Sequence, residues 1–327
     1  MTVKETVLIT DITSFIGKAV SDVLLKEGYI VYVLVSPDST EAIPVGAQKI
    51  EQDFYYSPIP ENISEINTII HTAHMPYGPR LPHMRSARKA LKSHCRKFNV
   101  EIPFRLAQKA AEVGVQRFVF LSSAQIMGSF QSTPYTDQDI PNPVEDENVL
   151  QKFECEQKLQ EVAKKYTMTI SSLRVPLVYG PHMSGRFIKL LQSIQKKVRF
   201  PFSHIQNQQS LLYVQNLADA IVALLKGQTK GFNAYLLADP TPISTPDVVR
   251  AFAEVLEMPN PIMIGSEKKL FFMFKLLGKK AALRRITESF VLDFSKFQKT
   301  FEWTPRCTTQ EGLKALAKWY LNSQNNF

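Results

Sequence analysis

The segment Thr10-Asp-Ile-Thr-Ser-Phe-Ile-Gly17 follows a short β-branched run and opens a helical one. In a parallel sheet, ligands bind beyond the carboxyl ends of the strands, so this first turn is where an anion would meet free backbone N–H groups at a helix N-terminus. Gly17 suits close backbone approach. Asp11 does not, since a carboxylate about 4 Å from a phosphate repels it by roughly 4 kcal/mol at an effective dielectric of about 20. Turned away, the same side chain would cap the helix instead. A second constellation, Asn148-Val-Leu-Gln-Lys152, sets an amide and an ammonium four residues apart, on one helical face. An amide orients a hydroxyl but has no proton equilibrium near neutral pH. Between Lys268 and Arg285, apolar bulk is flanked by seven Lys/Arg residues. That is the pattern of an interfacial helix on anionic lipid, and equally of a packed helix with a solvated basic face.

The elements that must position these residues are legible in the first half. Residues 7–10, 29–35, 68–72 and 117–122 are strands buried on both faces, because their apolar residues run on rather than alternate. Residues 15–26 place Ile16, Val20, Val23 and Leu24 at helical spacing before Gly28, and residues 99–113 repeat the device before Gly114. Strand, helix, strand, helix means an α/β fold, a doubly wound parallel sheet with helices on both faces. A sixth strand is expected at 168–174. Beyond it the pattern changes to a helix and an irregular polar stretch over 181–210, with helices at 216–225, 245–256 and 309–320. The predicted division is a dinucleotide-binding domain over 1–175 and a smaller, partly interleaved substrate lobe over 176–327.

Composition narrows the class. At 327 residues, with 44% apolar and 21% charged residues, the chain buries a large core and is neither disordered nor fibrous. Cys95, Cys155 and Cys307 lie far apart, which argues against a disulfide framework or a zinc ribbon, so no metal is expected and a reducing cytoplasm fits. No signal-peptide h-region and no apolar run of about eighteen residues is present. The formal charge of +9 favours anionic partners. The cations are scattered without a nucleic-acid module, so nucleic acid is not an expected partner.

An ordered set of segments resembles the extended short-chain dehydrogenase/reductases, in particular the NAD-dependent epimerase/dehydratase family with its UDP-glucose 4-epimerase-like members. The first turn matches the family's Gly-x-x-Gly-x-x-Gly in length, in Phe15-Ile16 and in Gly17, with Asp11 and Ser14 at the first two glycines. Gln52-Asp-Phe54, Ile70-His-Thr-Ala73, Asn99-Val-Glu101, Phe118-Val-Phe-Leu-Ser-Ser-Ala124, Arg174-Val-Pro-Leu-Val-Tyr-Gly-Pro181 and Ser210-Leu-Leu-Tyr-Val-Gln-Asn-Leu-Ala-Asp219 are similar to further signatures in the same order.

The resemblance implies roles. Asp11, Ser14, Phe15, Ile16 and Gly17 would face the cofactor pyrophosphate, Asp53 and Phe54 the adenine, and Thr72, Ala73, Lys152 and Pro176 the rest of the dinucleotide. Ser123 would meet the sugar hydroxyl, and Arg186, Asn207 and Gln209 the nucleotide of the substrate. The family's reaction needs a tyrosine four residues before the lysine, and Asn148 stands there. The family commonly has Asn at Arg186 and Arg at Gln209, so one cation is gained and one lost. His74 and Tyr135 are the substitute bases within sequence reach, each otherwise a packing or solvent-facing residue. NAD is preferred over NADP, because residues 35–39 (Val-Ser-Pro-Asp-Ser) hold no arginine for a 2′-phosphate and Asp38 stands where a ribose would be reached. Two functional readings follow: a nucleotide-sugar epimerase or dehydratase, as in polysaccharide synthesis, or a catalytically silent relative that serves as a binding or scaffolding module; NAD is the expected cofactor, or none is bound. Similar enzymes form homodimers through two helices, here 85–113 and 148–165.

Overall fold

The computed structural model describes residues 5–12, 14–35, 37, 42–52, 65–75, 85–131, 133–263 and 280–325. Seven parallel strands form the main sheet in the order β3-β2-β1-β4-β5-β6-β9. These are β1 (Thr6–Ile9), β2 (Ile30–Val35), β3 (Gln48–Glu51), β4 (Thr68–His71), β5 (Arg117–Ser123), β6 (Thr169–Val175) and β9 (Phe232–Leu236). A small second sheet pairs β7 (Leu177–Tyr179) with β8 (Leu211–Tyr213). The order reverses between β1 and β4, the switch point at which a crevice opens beyond the strand ends.

The strands expected from apolar runs are present to within a residue or two at each end. Helix α1 (Phe15–Lys26) buries Val20, Val23 and Leu24 against one face of the sheet and stops where Gly28 takes φ +87°. Helix α6 (Val214–Lys226) packs beside it on the same face. Helices α3 (Ile102–Glu112) and α4 (Glu147–Lys165) cover the other face, with Leu106, Cys155 and Leu159 fully buried. A separate core under the second sheet joins α5 (Arg186–Gln195), α7 (Thr245–Val255) and α10 (Thr309–Asn325). Two further helices are α8 (Lys280–Thr287) and α9 (Ser295–Phe301).

One expected boundary differs. Residues 97–101 are not the first α-turn of a helix opening at 99. They form a wide π-helical turn that joins α2 (Arg85–Arg96) to α3 without a break. The wider turn places Asn99 inward, 2% exposed, where its side chain finds partners from two other segments. Strand β9 was also unanticipated, and with α6 it returns the chain from the lobe to the main sheet.

Candidate functional site

The first turn keeps its shape without two glycines. Ser14 caps α1: its hydroxyl accepts from Gly17 N–H (3.1 Å), and its own N–H donates to the Asp11 carboxylate (3.3 Å). Asp11 therefore turns into the loop, but the helix cap is Ser14 rather than Asp11. Gly17 is indispensable, since a Cβ there would lie 1.7 Å from the Asp11 carbonyl oxygen. The Phe15 and Ile16 N–H groups, first in the helix, have no intrahelical acceptor. Thr72 Oγ1 donates to the Asp11 carbonyl (3.3 Å), fastening the exit of β4 to this turn. The residues fit a dinucleotide: a tight turn, two helix-opening amides without an intrahelical acceptor and small buried neighbours in Thr72 and Ala73, with the Asp11 charge as the opposing feature. Asp38, Asp53 and Phe54 lie outside the described residues.

Helix α4 starts at the Asp146 cap, whose carboxylate accepts from Asn148 N–H (2.9 Å). Its inward face carries Val149, Lys152, Cys155, Glu156 and Leu159, at helical spacing. A buried lysine is exceptional. Lys152 is 8% exposed, donates to the Leu121 carbonyl on β5 (2.7 Å) and lies 4.6 Å from the centre of the Phe120 ring. Burial lowers its pKa to about 8. The register of α4 is locked by a buried Glu156–Arg174 ion pair to β6 (2.7 Å), with Ser172 donating to the same carboxylate (2.7 Å).

Ser123 ends β5, and its hydroxyl accepts from Gln125 N–H (3.3 Å). His74, just past β4, is flanked by the amides of Asn99 and Asn148. Burial and then the Lys152 charge push its pKa down to about 3. The structure thus brings His74, Asn99, Asn148 and Lys152 together. Tyr135 is committed elsewhere: it is buried against Phe290, and its hydroxyl donates to the Ser129 carbonyl (2.7 Å).

Of the residues expected at the substrate, Asn207 bonds both to Thr245 and to the Glu288 carbonyl, and the Gln209 amide donates to the same carbonyl. Both tie their loop to the segment after α8. Arg186 opens α5 with its side chain water-accessible, and the surrounding protein followed by the Arg285 charge lowers its pKa. Neither guanidinium has a carboxylate partner among the described residues. Sequence reasoning named Arg186 but gave Arg285 no role at this site, since nothing in the spacing links α5 to α8. A cleft of about 250 Å³ runs beside α8, lined by Gln125, Ser129, Phe130, Asp146, Arg284 and Arg285. Pro176 separates β6 from β7. Residues 264–279 of the basic apolar segment lie outside the described residues; its described end packs Leu283 into the lobe core and pairs Arg284 with Glu288 (2.7 Å).

The model of the NAD dependent epimerase/dehydratase family matches residues 7–238. The chain belongs to that family. Along 98% of its length it is 30% identical to a UDP-glucose 4-epimerase of Vibrio cholerae, of which it covers 97%. In fold it is similar to the UDP-glucose 4-epimerase of Thermotoga maritima solved with UDP-glucose (TM-score 0.75, 17% identity, 98% of this chain and 99% of that one). It is likewise similar to a UDP-glucuronic acid 4-epimerase from Bacillus cereus solved with NAD (TM-score 0.76, 14% identity, 97% and 99%). Among the described residues of this family member, no acidic, His or Cys cluster suits a metal ion, and no helix is long and apolar enough to cross a membrane.

Proposed function

We propose that the chain interconverts a UDP-hexose by NAD-dependent oxidation and reduction at one sugar carbon. The observation that carries this reading is Lys152, a lysine held buried on the Leu121 carbonyl of β5, two residues along the strand from Ser123 at its carboxyl end. Ion pairing does not explain it, because Lys152 forms no salt bridge among the described residues and donates instead to a backbone carbonyl. A bound NAD would supply a reversible hydride acceptor at the sugar carbon, so that no net oxidant is consumed. The protein's own part is to hold and orient. Lys152 would hold the nicotinamide ribose, Phe15 and Ile16 N–H groups the pyrophosphate, and Ser123 the sugar hydroxyl. Arg186 feels the Arg285 charge and neither forms an ion pair among the described residues, an arrangement that a diphosphate between them would relieve. The Vibrio cholerae relative's activity supports a UDP-hexose as substrate. NAD rather than NADP is favoured by the absence of a cation in Ser36-Pro-Asp-Ser39.

Asn148 favours a second reading, a cofactor-binding but silent module, because an amide takes no proton. Incubating the protein with NAD and UDP-galactose and assaying UDP-glucose separates the two. Turnover supports the enzyme, and tight binding of both without product supports the silent module.

A further inference from the structure

We propose that His74 is the proton acceptor in the reaction, taking over at the exit of β4 the task for which Asn148 on α4 is unsuited. This rests on the function proposed above. The position is fixed from both sides. Asn99, in the π-helical turn, clamps the main chain of Met75 by receiving its N–H and donating to its carbonyl, each at 2.8 Å. The same amide donates to Gln151 (2.7 Å), the residue before Lys152. Behind it, Thr72 ties the strand exit to the phosphate turn. His74 is therefore held between the cofactor turn and the helix of Asn148 and Lys152.

The Asn99 and Asn148 side chains hydrogen-bond the ring and orient it, yet Nδ1 is buried with no partner among the described residues, a nitrogen left over for a ligand hydroxyl. The charged group facing the ring is Lys152 on α4, with His71 on β4 close enough to feel it; Asn99 and Asn148 are uncharged. Burial and the ammonium keep the imidazole neutral, and thus able to accept a proton, throughout the physiological range. It is a weak base, so it takes the proton only as the hydride leaves and the hydroxyl turns acidic. The sugar O–H bond breaks, its electrons form the carbonyl, and the proton joins the imidazole lone pair. Reduction reverses each change, and the same proton returns.

The test uses full-length protein with labelled histidine. His74 is assigned by comparison with His74→Gln, and its ring resonance is followed as UDP-glucose is added to the protein with NADH. A displaced resonance is expected, and one that UDP-glucose leaves unmoved overturns the proposal without needing turnover or a stable variant. His74→Gln should lower kcat about a hundredfold or more with KM within about threefold, and His74→Gln/Asn148→Tyr should regain rate. If wild type turns over and His74→Gln keeps its rate, His74 is excluded while the proposed function stands. If wild type binds neither probe, both fall.

Discussion

Asp11 decides how well the phosphate turn works. Its carboxylate accepts from Ser14 N–H, which both fixes the loop and takes a donor that a pyrophosphate would use. Asp11→Asn keeps a side-chain acceptor for that N–H and removes the charge. Because like charges about 4 Å apart cost roughly 4 kcal/mol before solvent screening, NAD affinity should rise about tenfold or more, read by calorimetry. An unchanged affinity would place the carboxylate outside the reach of the phosphates. Much at this scale was legible in sequence, because Gly17, Lys152 and Ser123 sit in segments whose order and spacing are diagnostic. The Ser14 cap was not, since either Asp11 or Ser14 suits a helix N-terminus and only the traced turn chooses. Nor was the influence of the Arg285 charge on Arg186, which comes from segments far apart in the chain.

At the scale of elements, α4 must hold Lys152 against β5, and the buried Glu156–Arg174 pair sets its position. Removing one partner of a buried pair leaves the other charge stranded. Arg174→Met should therefore cost about 3–5 kcal/mol in denaturant unfolding, with loss of NAD binding as α4 shifts. Arg174→Met combined with Glu156→Leu should recover most of that stability, as apolar packing often matches a buried pair. The strands read from sequence were those with unbroken apolar runs, such as Ile-Val-Tyr-Val-Leu-Val in β2. Strand β3 (Gln-Lys-Ile-Glu) lies at one sheet edge with three of its four residues exposed, and β9 (Phe-Asn-Ala-Tyr-Leu) forms the other edge. Edge strands need no continuous apolar pattern, so periodicity passed over β9. The π-helical turn at 97–101 was illegible for another reason: helix spacing alone does not show one residue inserted into a hydrogen-bond ladder.

Across the whole molecule, two histidines buried in neutral form make the fold acid-sensitive. His71 is fully buried and held well below its ordinary value, and His74 is held at about 3. Below about pH 6.5 the unfolded chain binds protons that these rings refuse in the folded state, so stability is lost as pH falls through that value. Between pH 6.5 and 5 the two rings together remove about 3 kcal/mol. Guanidinium unfolding at both pH values should show the loss in wild type and a smaller one in His74→Gln. Equal losses would show that His74 does not stay neutral in the folded chain. On the reading proposed above, the turn after β1 and Lys152 on α4, both carried by the main sheet, hold one NAD between them. Calorimetric titration of the purified protein with NAD tests that most directly. The turn predicts one site per chain with a dissociation constant in the micromolar range, tightened by Asp11→Asn; no heat of binding at millimolar NAD in either protein would contradict it.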